Sequence, residues 1–197
     1  KEGKSFFVEL ALHTIHMPQD VAAPEKYASR FNTGSKSVDL LYSHIYGVDQ
    51  SLRRIVELLK ERGEWENTIL FFTSDNGATC KVGGGGGDLS LIPGNGPFRG
   101  HKGQTFQGGL RVPLLMVWPA RIKQPMRVAQ TVSLMDLLPT ALDAAKLDVP
   151  NDLDGKSLLP LLAQAAPDMP AITSTNTGKG TQYSITLQLL ALMTTLS

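Results

Sequence analysis

Apolar positions along the chain follow two periodicities, and their order predicts the elements. Phe6-Phe7-Val8-Glu9-Leu10-Ala11-Leu12 is a short, aromatic-rich run closed by His13-Thr14-Ile15-His16-Met17-Pro18, which reads as a strand and the loop after it. Between Ser37 and Arg62, Val38, Leu41, Ile45, Val48, Leu52, Ile55 and Leu59 recur at spacings of three and four, one stripe of a long amphipathic helix that Gly63 stops. A second strand, Thr68 to Thr73, follows. Strand, helix, strand is a crossover unit, so the expected class is α/β, with a parallel sheet and helices on its faces. Val112 to Trp118 predicts a third strand, ending at Pro119, and Ala129 to Ser133 a further short one. Leu134 to Ala145 predicts a helix, and Leu158 to Leu162 a short helical turn packed on the edge.

From Gly77 to Gly109 the pattern lapses. Glycines crowd together at Gly83 to Gly87 and around Pro93-Gly94-Asn95-Gly96-Pro97, so no regular element is expected there. A long loop inside a compact domain usually serves function, and this one carries Arg99, His101 and Lys102. Beyond Pro170 the chain turns to Thr, Ser and Gln with scattered leucines, and no role follows from that composition.

Of 197 residues, 42% are hydrophobic and 19% charged, which is enough apolar material for one core. The formal net charge of +1 gives no overall field to draw nucleic acid or an anionic membrane, so basic chemistry must be local. No apolar stretch reaches roughly 18 residues, so no membrane-spanning helix is expected. Cys80 is the only cysteine, which excludes an internal disulfide and a multi-thiolate zinc site. Residue 1 is Lys, and a core strand begins within a few positions; the expectation is a piece that starts inside a domain.

Candidate chemistry gathers at the strand ends. Ile69-Leu70-Phe71-Phe72 stops at Thr73-Ser74-Asp75-Asn76-Gly77, where one charged and one neutral oxygen ligand suit a hard divalent cation at the carboxyl edge of a sheet. Taken alone, Asp-Asn-Gly also reads as a plain turn. In Arg99-Gly100-His101-Lys102-Gly103 the glycines let the backbone approach a tetrahedral oxyanion and offer N–H donors beside the Lys102 ammonium; alone, this also reads as a solvated lysine in a loop. His13 and His16, at a strand end, are imidazoles suited to protonate or hydrogen-bond a leaving group. No further Cys or His follows at zinc spacing, and His44 sits beside the helix stripe as packing or surface. Nucleotide binding lacks both a G-x-G-x-x-G that opens a helix and a G-x-x-x-x-G-K-[ST].

In order and spacing, Phe6 to Pro18, Leu70 to Gly77 and Arg99 to Pro113 resemble the type I sulfatase (arylsulfatase) family. The likeness continues through Ser133-Leu134-Met135-Asp136-Leu137-Leu138-Pro139-Thr140 and Asp154 to Leu162, about residues 1 to 165. The resemblance implies an alkaline-phosphatase-like α/β domain: a mixed, mostly parallel sheet with helices on both faces, of which residues 1–165 are the C-terminal portion and 166–197 a divergent tail. It also implies hydrolysis of a sulfate ester by a calcium ion, basic residues and a formylglycine nucleophile. On that template Asp75 and Asn76 are the calcium ligands, Lys102 the sulfate-binding lysine, and His16 the histidine at the sulfate or leaving oxygen. His13 has the lesser claim, and His101 is a pocket residue at a variable position.

The resemblance also implies what these residues lack. The nucleophile motif C-x-P-S-R, an early Asp-Asp calcium pair and an upstream Lys and His are expected before residue 1, so this piece alone is expected to be inactive. Cys80 lacks the Pro-Ser-Arg context and is not the formylglycine precursor; Gln107 stands where the family often has Glu. The expected partner is a small-molecule or carbohydrate sulfate ester, with no nucleic acid, and the family implies a periplasmic or secreted location. Alternative readings are a phosphonate monoester or phosphodiester hydrolase of the same superfamily, or a noncatalytic carbohydrate-binding relative.

Overall fold

The computed structural model describes residues 5–16, 27, 29–79, 95–164 and 189–194. Met17 and Pro18 of the histidine motif, Cys80, the run Gly83 to Gly87 and the stretch 165–188 lie outside the described residues.

The chain's most apolar run forms its most buried strand. Strand β2 (Thr68–Thr73) is buried at every position but Phe72, as expected of a strand covered on both faces. Side chains alternate across it. Ile69 and Phe71 point to one face, where they join Trp118, Ala141 and Ala144; Leu70 and Phe72 point to the other, beside Leu52, Ile55, Val56 and Leu59. Full burial of side chains of this size contributes about 1.5–3 kcal/mol each.

The second face is covered by helix α1 (Lys36–Glu61), within a residue of the expected span at each end. Gly63, at φ 69°, ends it in the left-handed conformation that glycine adopts without strain. Strand β1 (Phe7–Ala11) precedes α1, and a single turn, α2 (Gln107–Leu110), closes the glycine-rich loop where no element was expected. Strand β3 (Leu114–Val117) follows. The stretch Leu134 to Ala145 begins as a 3-10 turn (Leu134–Asp136), capped by Ser133 in a capping box with Asp136, and continues as α3 (Leu137–Ala144). Helix α4 (Leu159–Gln164) packs with α3 on the Ile69 and Phe71 face. Helices therefore cover both faces of the sheet.

Pairing departs from the expectation. Among the described residues the sheet has the order β1-β4-β2-β3, where β4 (Leu189–Thr194) comes from the stretch whose composition suggested no role. Every pair is antiparallel, in place of the mostly parallel pairing that the crossover unit predicts. β1 and β2 still run in one direction, because each is antiparallel to β4. No strand forms over Ala129 to Ser133, correcting that expectation: the chain bends at Gln130, and the segment pairs with no strand among the described residues. Among the described residues, no helix is long and apolar enough to cross a membrane.

Among the described residues β1 is one of the two edge strands, and Phe6, Phe7 and Val8 are 38%, 56% and 41% exposed in succession. Consecutive residues face opposite sides, so apolar surface is bare on both. Such an edge templates self-association. The 197-residue chain by itself is expected to elute in size exclusion as concentration-dependent assemblies, which Val8→Lys shifts toward monomer; an identical elution for the two chains would contradict this.

Candidate functional site

Register places the two strand ends level. Ala11 of β1 and Thr73 of β2 both pair with Leu189, so the chain leaves β1 toward His16 and β2 toward Asp75 at the same edge, two strand spacings or about 10 Å apart.

Beyond β1, a turn closes with the His16 N–H donating to the His13 carbonyl at 3.1 Å, and the two imidazole rings lie 5.7 Å apart. Ile15 inside this turn has φ 73°, rare for a β-branched residue and costing on the order of 1–3 kcal/mol. Burial offsets that cost: the Ile15 side chain is 8% exposed and packs with Val48, Leu12, Leu41, Ile45 and Phe72. The helix stripe and β2 thus hold the turn that presents His16.

Beyond β2, Thr73 is buried and its hydroxyl donates to the Pro113 carbonyl at 2.8 Å, tying the strand end to the chain entering β3. The Ser74 hydroxyl donates to the Asn76 carbonyl at 2.8 Å and bends the chain there. Asp75 is exposed at the rim, whereas Asn76 Oδ1 is buried without a hydrogen-bond partner. A buried carbonyl oxygen left unsatisfied costs about 1–3 kcal/mol, and a hard cation would satisfy it. Asp75 and Asn76 together offer the charged and neutral oxygens such a cation takes. Two ligands are not a full shell: among the described residues no group of three His, Cys, Asp or Glu side chains is placed to hold a metal ion.

The lysine loop is fastened to this turn by its backbone. The Gly77 N–H donates to the Gly109 carbonyl at 3.0 Å, and the Lys102 N–H to the Ala78 carbonyl at 3.0 Å. Contact is too close for a side chain: a Cβ on Gly77 would lie 1.8 Å from the Gly108 carbonyl oxygen. Lys102 Nζ then reaches His16 Nε2 at 3.1 Å, joining residues 86 positions apart. An ammonium only donates, so Nε2 accepts here and the ring proton sits on Nδ1. His101 is engaged within its own loop, its Nδ1 2.8 Å from the Lys102 carbonyl. Arg99 and Arg111 stack on Phe106 and Phe98, adding positive charge along the same loop.

The residues singled out from sequence are therefore assembled by pairs: His16 with Lys102, Asp75 with Asn76, and the two pairs joined through Gly77 and Ala78. Sequence reasoning missed Asn95, whose amide oxygen accepts from the Ala78 N–H at 2.6 Å while its Nδ2 donates to the carbonyls of Ala78 and Gly100 at 3.1 and 3.0 Å. Within Pro93-Gly94-Asn95-Gly96-Pro97 it looks like a turn residue; only its being an asparagine, able to bond two backbones, hints otherwise.

Comparison with known proteins gives a consistent answer. The family model described as Sulfatase matches residues 1–147. The chain is 45% identical over 159 residues to the uncharacterized sulfatase YdeN of Escherichia coli (strain K12), covering 80% of this chain and 27% of that protein. It is 37% identical over 165 residues to N-acetylgalactosamine-6-sulfatase of Sus scrofa, with 81% and 28% covered. With steryl-sulfatase of Mus musculus the identity is 39% over 159 residues, with 80% and 24% covered. The chain spans about a quarter of the length of these curated relatives.

Proposed function

The chain belongs to the sulfatase family, and from that membership we propose that it forms part of the catalytic centre of a sulfatase that hydrolyses a small-molecule or carbohydrate sulfate ester. The observation that carries the reading is the 3.1 Å contact between Lys102 Nζ and His16 Nε2 beside the Asp75-Asn76 turn. A sulfate monoester is a tetrahedral anion. Lys102 supplies a point charge to its oxygens, held in a loop that need not reorganise as charge develops. His16, on its turn, faces the same oxygens and hydrogen-bonds the ester or its leaving oxygen through a proton on Nε2. His101 lines the loop behind Lys102.

Asp75 and Asn76 would hold a calcium ion together with ligands from the rest of the full-length protein; the ion would supply positive charge that neutralises the ester. The buried Asn76 Oδ1 without a partner supports this assignment. A formylglycine hydrate would supply the hydroxyl that attacks sulfur. No C-x-P-S-R or S-x-P-S-R motif occurs in these 197 residues, so the proposal assigns that nucleophile to another part of the full-length protein.

The test uses that full-length protein and an aryl sulfate. Asp75→Asn keeps the shape but removes the charge, and is expected to raise the half-saturating calcium concentration by at least about tenfold, since even groups behind a metal's direct ligands cost that much. A calcium requirement equal to that of the unsubstituted protein would overturn the assignment.

A further inference from the structure

The two halves of the centre come from distant stretches of chain, and one side chain spans the seam between them. We propose that Asn95 is a positioning residue that clamps the turn after β2 to the lysine loop, and so sets the distance between the cation ligands and Lys102. The proposal rests on the sulfatase reading above for what the clamp is for, and on geometry for the clamp itself. Among the described residues the Asn95 amide makes three bonds, all to backbone: its oxygen takes the Ala78 N–H, one residue past Gly77, and its nitrogen gives to the carbonyls of Ala78 and Gly100. The Ala78 carbonyl in turn accepts from the Lys102 N–H at 3.0 Å. Asn95 thus holds the same peptide unit that Lys102 hangs from, and holds Gly100 on the far side of the lysine. Gly100 has φ 90° and so marks where the loop turns back.

An amide is needed because the seam presents one N–H and two carbonyls; a carboxylate satisfies the first and repels the other two, and a hydroxyl has one proton to give. Asn95 touches no reacting group, so its contribution is orientation. Misplacement of a catalytic group by about 1 Å can cost about 100-fold in rate.

The experiment measures, in the full-length protein, amide hydrogen exchange at Ala78, Lys102 and Phe71 together with aryl sulfate turnover, for Asn95→Ala and Asn95→Asp. Asn95→Ala is expected to speed exchange at Ala78 and Lys102, leave Phe71 in β2 unchanged, and lower kcat about 10- to 100-fold. Asn95→Asp keeps the acceptor for the Ala78 N–H, so Ala78 stays protected while kcat still falls. Unchanged exchange at both loop amides in Asn95→Ala would overturn the clamp, and faster exchange with undiminished kcat would overturn its role in turnover. Equal acceleration at Phe71 would mean general destabilisation and would also overturn the proposal. If the unsubstituted protein turns over no sulfate ester, the sulfatase reading fails and the clamp's role in turnover fails with it. Exchange at Ala78 and Lys102 then decides the clamp alone.

Discussion

Lys102→Ala in the full-length protein is expected to lower kcat/KM for a sulfate ester by about 100- to 1,000-fold, the usual loss when one fixed donor to a developing oxyanion is removed. The expectation follows from position. The Lys102 ammonium is held by a backbone fastened to the end of β2, and it contacts another candidate ester ligand, His16, at 3.1 Å. Loss of the charge leaves His16 Nε2 without that donor. The fall should lie mostly in kcat, since the interaction strengthens as charge moves onto the ester oxygens. Lys102→Arg should rescue only in part, because a planar guanidinium does not reproduce a compact ammonium at this spacing. Steady-state kinetics with an aryl sulfate reads each result, and an undiminished kcat/KM in Lys102→Ala would remove Lys102 from the centre.

Gly77→Ala is the smallest change expected to dismantle the site. The new methyl would sit 1.8 Å from the Gly108 carbonyl oxygen and 3.0 Å from Asn95 Oδ1, and the first is backbone that cannot rotate away. The loop must move off the β2 turn, breaking the Gly77 to Gly109 and Lys102 to Ala78 bonds. Forcing extra volume into packed structure costs about 1–3 kcal/mol, here at the upper end. Turnover should fall by orders of magnitude, with a lowered melting temperature. Gly34→Ala is the control: the space around Gly34 is open, so only its φ of 85° resists, and turnover should hold. Equal effects from the two substitutions would mean that the Gly77 contact does not shape the site.

How far the sequence disclosed this arrangement depended on the range of the interactions. The stripe from Val38 to Leu59 predicted α1 because helix burial is written in local spacing, and Gly63 ended the helix where a left-handed residue was needed. The run Ile69 to Phe72 predicted a strand covered on two faces for the same reason. Strand partners were not legible. The place of β4 between β1 and β2 depends on pairing between residues more than 100 positions apart, which no local pattern encodes. Ala129 to Ser133 has strand-like composition, yet it joins no strand of the described sheet.

Within the site, Asp75, Asn76, Lys102 and His16 stood out because their chemistry is unusual beside glycine or at a strand end. The bridging bonds of Asn95 escaped, since they exist only once Ala78 and Gly100 are neighbours. Ile15 escaped too: nothing local in His13-Thr14-Ile15-His16 requires a positive φ, which the packing against Val48 and Phe72 imposes.

The central claim is that His16 and Lys102 act on one ester as a unit, and a double-mutant cycle tests it most directly. His16→Ala, Lys102→Ala and the double variant of the full-length protein are compared by kcat/KM for an aryl sulfate. Because the two groups share a partner, the double variant should lose little more than the worse single one, a coupling of at least about 1 kcal/mol. Losses that simply multiply would show two groups working apart and would contradict the account.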